Sequence, residues 1–435
     1  MKKGLLCIWF LVLLALPAAA AGQVSVQVEG GYTSEYGVDI PFTRSPRAQD
    51  YIFALYGGGT ATGVPEVQAR VRIMEDGEVS VHLPLRYDFA EPGTWTLAVT
   101  AQVQSGRGGL DRARTVEHTF ELPPTCGCAA GTKGAFYAGE GTAASPFLVA
   151  SPQQLQHIND SRHLESGQYF LQVSDLDCSV YDNWIAVGSD QPFRGVYDGG
   201  GRRIKNLTMT GSATYCGVFG QLGGATIQNL GVDASCSFNL EQGLIGGGIV
   251  AQSSRGDNQI RQCFSEADIR ILDTQGNTVR LGGILGNSEG GELTLQNCCS
   301  SATLTVGDVQ HIHLGGILGY RSGNDAALTG NYFDGVLRPG SATCFAQGGI
   351  LGYLISSGLS KFAANYWSSA SGAAHGVGTD VFGNVGVNTG CPPLSAQQMG
   401  TQAGYAGFDF ERIWRWDGTK GRPVLWVFDQ EETVG

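Results

Sequence analysis

Carboxylates are the side chains of this sequence best placed to do chemistry. Asp175 and Asp177 stand two apart on either side of Leu176, so a strand there would aim both to one side. Asp198 follows, beside the glycine run Gly199-Gly200-Gly201 and the pair Arg202 and Arg203. Acids gathered on one face with cations nearby are what acid–base attack on a glycosidic bond needs. The commoner explanation of these residues is a solvated turn at a glycine corner. Further on, Glu266, Glu292 and Asp334 show no common spacing, and they are not expected to share one column. His311 and His313 flank Ile312 and would face the same way; solvated rim histidines are commoner than metal ligands in that setting. The His-Glu-x-x-His signature of a zinc protease is absent. No Gly-x-Ser-x-Gly lies in the strand-to-helix setting of a nucleophile elbow. No cysteine or histidine pair recurs at structural zinc spacing, so neither metal nor other cofactor is expected. Two binding candidates remain. Trp414 and Trp416 belong to an aromatic-rich end, with Phe408, Phe410, Trp426 and Phe428, that would either close the far end of the fold or stack on sugars. Arg255-Gly256-Asp257 spells the tripeptide read by integrins, although all three are ordinary turn residues.

What must position these residues is a repeat. Five tetrapeptides recur: Gly217-Val218-Phe219-Gly220, Gly248-Ile249-Val250-Ala251, Gly283-Ile284-Leu285-Gly286, Gly316-Ile317-Leu318-Gly319 and Gly349-Ile350-Leu351-Gly352. Their leading glycines are 31, 35, 33 and 33 residues apart. A second marker keeps step with them at Asn229, Gln262, Asn297, Asn331 and Asn365. Two markers in phase over five periods identify a repeat array. Each unit holds short apolar runs between Gly, Ser, Asn and Asp, which is strand and turn chemistry without a helical period. The units are too short for four-stranded propeller blades, so each is expected to form one coil of a β-solenoid. Glycine then serves corners where stacked backbones approach closely, often at positive φ. Asn297, Asn331 and Asn365, with Gln262 and Asn229 in the same register, are expected to stack as an amide ladder.

Gly-hydrophobic-hydrophobic-Gly at this spacing resembles the GLUG motif of bacterial secreted and surface proteins. Such repeats occur outside the catalytic part of some immunoglobulin-A-cleaving metallopeptidases and in adhesin-like proteins of gut Bacteroidetes. Phe193-Arg194-Gly195, Asp198-Gly199-Gly200-Gly201 and Ile204-Lys205-Asn206-Leu207 fit the same context. The resemblance covers roughly residues 136 to 428, with Ile or Val where the motif name has Leu, and Ala251 in place of one glycine. It implies a non-catalytic repeat region. It does not carry over a protease activity whose metal motif is missing.

The rest of the chain fits export. Lys2-Lys3, the apolar run Leu5 to Leu16 and the small residues Ala18 to Ala21 make a signal peptide over 1–21. No second long apolar segment follows, so no transmembrane segment is expected. A net charge of −12 without a basic run argues against nucleic acid as a partner. Cys263 and Cys298 occupy equivalent places in adjacent units and are expected as free, buried thiols. Cys298 and Cys299 cannot both face inward on a regular strand. Residues 22–122 show short strands at regular spacing, including Val24 to Val28 and a run with Trp95, Leu97 and Val99 inward. They suggest an immunoglobulin-like sandwich. Residues 123–134, with Pro123-Pro124 and Cys126-Gly127-Cys128, form a linker. Residues 135–428 form the solenoid, with short helices beginning at Ser151 and Ser395.

The fold expected is therefore all-β: an immunoglobulin-like sandwich followed by a right-handed parallel β-helix with caps. The expected role is a secreted or cell-surface adhesin-like protein that binds an extracellular glycan or protein without catalysis. The alternatives are a β-helix carbohydrate-active enzyme and a structural spacer or assembly subunit.

Overall fold

The computed structural model describes residues 37–43, 48–74, 78–84, 94–104, 110–121, 124–129, 131–272, 278–323, 325–355, 359–384 and 387–429. The expected signal peptide and the strand from Val24 to Val28 lie outside them. The described residues are all-β, with 51% in strands and 6% in helices. It divides into Met1–Glu140 and Gly141–Gly435.

In the first unit, Gly37–Thr43 pairs antiparallel with Glu78–Pro84. A separate four-stranded antiparallel sheet runs Val67–Arg72, Ala48–Gly57, Thr94–Gln104, Leu110–Glu121. Alternation along these strands sends Phe42, Tyr51, Phe53, Leu83, Trp95 and Leu97 into one core. Phe42 meets Phe53 edge to face at 5.2 Å. Ala135 and Tyr137 join this core as well, so the first unit extends past the stretch expected as linker.

The second unit is a β-solenoid of about five turns. Its coils build parallel sheets of fourteen, eight and six strands. The tetrapeptides form a single file: Phe219 pairs with Val250, Val250 with Leu285, Leu285 with Leu318 and Leu318 with Leu351. All five side chains are wholly buried. The glycines are required by proximity more than by backbone angle. A Cβ on Gly283 would stand 2.3 Å from the Gly316 carbonyl oxygen, one on Gly316 2.2 Å from that of Gly349, and one on Gly352 2.4 Å from that of Gly319. Gly248, Gly286 and Gly319 have the same close backbone neighbours, whereas Gly349 is filled by the Trp367 ring and Gly220 by Ser189. Only Gly217 among them has positive φ, at 157°. A further file, Gly247, Gly282, Gly315 and Gly348, went unmarked in the sequence, and its approaches are tighter still.

The asparagine column divides into two. Asn229, Gln262 and Asn297 all adopt left-handed φ, between 50° and 55°, and Gly330 and Ala364 continue that file. Asn297 therefore belongs to a turn column, one residue out of step with Asn331 and Asn365. The inward column is Leu230, Cys263, Cys298, Asn331, Asn365, because Phe264 pairs with Cys299, Cys299 with Tyr332 and Tyr332 with Tyr366. Within it the amide ladder exists for two rungs. Asn331 Nδ2 donates to the Asn365 side-chain oxygen and to the Leu295 carbonyl, each at 2.9 Å, while Asn331 Oδ1 accepts from the Cys298 N–H. One and two coils earlier the thiols of Cys298 and Cys263 make the equivalent donation, to the carbonyls of Ile260 at 3.7 Å and Ile227 at 3.8 Å. Thiol and amide thus satisfy the same buried carbonyl column. Both cysteines are free. Cys298 faces inward, and Cys299 faces outward but is buried too.

A charged residue also sits inside the coils. Arg321 is fully buried; its guanidinium donates to Ser288 Oγ at 2.8 Å and to the carbonyls of Gly291 and Asp325 at 3.0 and 3.1 Å. It fastens the turns of two successive coils. The capping helix Pro152–His157 has Ser151 Oγ accepting from the Gln154 N–H, with Leu155 and Ile158 inward. At Ala396–Met399 the capping box of Ser395 and Gln398 is complete. Tyr169–Gln172 forms a strand, whereas 184–187 does not; there Trp184 is buried with Nε1 donating to the Val218 carbonyl.

Candidate functional site: the cleft under the C-terminal strap

The aromatic C-terminus does not close the far end of the solenoid. It lies along one side, over the outward file Phe264, Cys299, Tyr332 and Tyr366, which together with Met399, Tyr405, Phe408, Trp414 and Leu425 forms a second core. The far end is formed instead by Val377–Asp380 and Pro393–Leu394, the last strands of two of the sheets. Large apolar residues at an outward position cannot stay in water, so the chain folds back over them. Trp414 is wholly buried and stacked on Phe408 at 4.9 Å, which removes it as a sugar platform. Trp416 is half-buried.

Between the strap and the coils lies a cleft with about 390 Å³ of space, its mouth included. One wall is the solenoid: Arg203, Phe264, Glu266, Ser301 and Tyr332. The other is the hairpin of Trp414–Asp417 and Arg422–Leu425, together with Lys420 in its turn and Phe428 beyond it. Glu266, Ser301 and Asp334 occupy one register column, since each follows a paired residue of the file Ser265, Ser300 and Phe333. Glu266 and Asp334 do share a column, contrary to expectation: they stand at the same distance after Gly248 and Gly316, and Ser301 fills the coil between them. Glu292 is elsewhere, paired with Asp257.

Arg422 reaches from the hairpin into this column. One terminal nitrogen meets Glu266 Oε1 at 2.5 Å; the other meets Asp334 Oδ2 at 3.0 Å and also Ser301 Oγ. Tyr332 Oη donates to the Pro423 carbonyl at 2.6 Å. The two acids are thereby bound in an ion-pair network and are not free to act as acid and base. Cys299 at the cleft floor is no better placed, because burial pushes its thiol up to about 12 and keeps it protonated at neutral pH.

The carboxylates singled out in the sequence do not converge. Asp175 accepts from the Arg203 N–H and pairs with Lys205 at 2.7 Å. Asp177 accepts from Asn206 Nδ2 and the Ser179 N–H, at 2.9 and 3.0 Å; the Asn206 bond above all holds its carboxyl below the usual range. Asp198 accepts from Gln228 Nε2, Asn229 Nδ2 and the Gly200 N–H, at 2.7 to 2.9 Å. Among the described residues no hydrogen bond joins any two of the three, and each ties one coil to the next. Ser288, in the string Gly286-Asn287-Ser288-Glu289-Gly290, is buried with its hydroxyl bonded to Ser253 and Arg321. Arg255, Gly256 and Asp257 are exposed in the turn between Val250–Ser254 and Asp257–Arg261, where Asp257 accepts from Gln259 Nε2.

His313 is not a rim residue. The corner between two sheets brings Tyr320 and Tyr353 against it, with ring centroids 5.2 and 4.5 Å away and nearly parallel planes. Burial first, then Arg280 and His311, lower its pKa to about 4. A histidine whose folded pKa lies below its unfolded value stabilises the fold fully above about pH 6.5 and loses that contribution as pH falls. On acidification from pH 7 to 4 the protein is expected to lose about 3 kcal/mol more than its His313→Phe variant. Urea midpoints of both proteins at the two pH values check this; equal losses would show that His313 does not sense pH.

No described protein family matches the chain. It is 34% identical to halomucin of Haloquadratum walsbyi over 165 residues, which are 35% of this chain and 2% of that protein. The chain thus spans only a small fraction of its relative's length. Solved structures similar to it include these two. One, from Bacteroides ovatus and named for an immunoglobulin A1 protease, has 21% identity and a TM-score of 0.45 over 66% of this chain and 94% of its own. The other, an IgA1 protease, has 10% identity and a TM-score of 0.28 over 85% of this chain and 27% of its own. No helix of the described residues is long and apolar enough to cross a membrane.

Proposed function

We propose that this is an exported, non-catalytic, adhesin-like protein whose GLUG-type solenoid presents a binding surface to an extracellular glycan or glycoprotein. In this reading the first unit is an immunoglobulin-like spacer, and residues 1–21 are removed on export. The observation that supports it best is the commitment of the carboxylates. Asp175, Asp177 and Asp198 join coils, and Glu266 and Asp334 hold Arg422. A hydrolase or lyase needs acids free to exchange protons with substrate. A stiff solenoid with a lateral cleft suits an extended ligand. The test is a glycan and matrix-protein array probed with the full chain. Saturable binding to a defined glycan class is expected. An array without ligands, together with self-association, would favour an assembly subunit. Polysaccharide cleavage lost in a folded Asp177→Ala variant would establish an enzyme instead.

A further inference from the structure

The cleft under the strap has a charge pattern that the fold does not require. Glu266 and Asp334 carry two negative charges, and Arg422 answers one of them within the network. Two more cations line the same cleft from opposite walls. Arg203 comes from the coil and lies over the faces of Phe264 at 4.9 Å and Phe428 at 5.9 Å. Lys420 comes from the exposed hairpin turn. Neither side chain has a carboxylate partner among the described residues. In a chain of net charge −12, two cations left unpaired on facing walls are the part of this cleft best suited to recognise something outside the protein. Between them the walls are apolar, formed by Val424, Pro423 and Phe428.

We infer that this cleft is a subsite for an acidic sugar. Its carboxylate sits between Arg203 and Lys420, and the less polar face of its ring rests on Phe428 and Val424. Arg203 suits this role because the Phe264 and Phe428 rings, set at 78° to each other, hold its guanidinium in their corner before the ligand arrives, so little freedom is lost on binding. Arg422 is not free for it, because both of its terminal nitrogens are engaged by Glu266, Asp334 and Ser301. The inference rests on the glycan-binding reading above and names its ligand class.

The test measures binding of N-acetylneuraminic acid, glucuronic acid and N-acetylglucosamine to the full chain, by calorimetry or ligand-observed NMR. The two acidic sugars separate a sialylated source from a polyuronate source; the third is a neutral control. At least one acidic sugar is expected to bind, with the neutral sugar about tenfold weaker or undetectable. Its affinity is expected to fall as salt rises. Lys420→Gln, at an exposed turn where folding is not at stake, is expected to weaken binding about fivefold, and Arg203→Gln about tenfold. Equal affinity for acidic and neutral sugars, no binding by any of them, or unchanged binding in the Lys420→Gln, Arg203→Gln double variant would overturn the inference. A neutral glycan found on the array would leave the adhesin reading intact and defeat this one. Acidic-sugar binding at the cleft with no array ligand would do the reverse.

Discussion

Gly316→Val is expected to destabilise the solenoid by about 4 kcal/mol or more, enough to prevent cooperative folding of this unit at 37 °C. The reason is geometric. The added Cβ would lie 2.2 Å from the Gly349 carbonyl oxygen and 2.4 Å from the Phe333 ring, so both the next coil and a core aromatic must move. Backbone in a stacked coil cannot yield without breaking the parallel hydrogen bonds that join it to two neighbours. Gly290→Ala is the control. Gly290 has left-handed φ of 65° but open space around it, so that substitution is expected to cost only about 1 kcal/mol. Denaturation of both variants by urea checks the pair. Similar losses would mean that glycine serves backbone angle here, not coil-to-coil proximity.

The second large effect is expected at Arg422. Arg422→Met removes the guanidinium from two carboxylates that are each about four-fifths buried, leaving both charges without their partner. Breaking a buried network in this way costs about 3 kcal/mol at neutral pH. The loss is expected to fall on the strap, because Arg422 anchors the hairpin to the coils. Hydrogen exchange in Trp414–Asp417 and Arg422–Leu425 should therefore accelerate more than exchange in Leu318–Ser322. Adding Glu266→Gln and Asp334→Asn to Arg422→Met is expected to recover part of the stability, since neutral amides tolerate the site better than orphaned charges. If the triple variant were weaker than Arg422→Met, the interaction would not be electrostatic.

Much of the architecture was legible in the sequence because it is written in short-range chemistry. The tetrapeptide file, the helix caps at Ser151 and Ser395 and the inward Trp95, Leu97 and Val99 each follow from residues a few positions apart. What escaped depends on register between coils. Asn is suited both to a left-handed turn, as at Asn229 and Asn297, and to an inward amide, as at Asn331 and Asn365. The letter does not distinguish the roles. The one signal was Gly330 just before Asn331, since glycine takes the left-handed position that Asn297 fills one coil earlier. Glu266 and Asp334 stand at equal distances after Gly248 and Gly316, so their shared column was written in the repeat, but Ser301 in the intervening coil interrupts the run of acids. The strap was least legible, because its partners are far away in sequence: Phe428 meets Phe264, 164 residues earlier. An outward file of Phe, Cys, Tyr and Tyr was nevertheless a sign that this face is covered.

The most direct test of the stacked ladder is a distance along one exposed column. Asn239, Arg270, Thr305 and Arg338 are consecutive partners in four successive coils. Spin labels at Asn239→Cys and Arg338→Cys, with the labelled parent protein as background, should report backbones separated by three coil steps, about 14 Å. The pair Asn239→Cys and Thr305→Cys should come out about 5 Å shorter. Separations that did not grow by one strand spacing per coil, or that exceeded about 25 Å, would contradict the ladder and with it the cleft that the strap forms on its side.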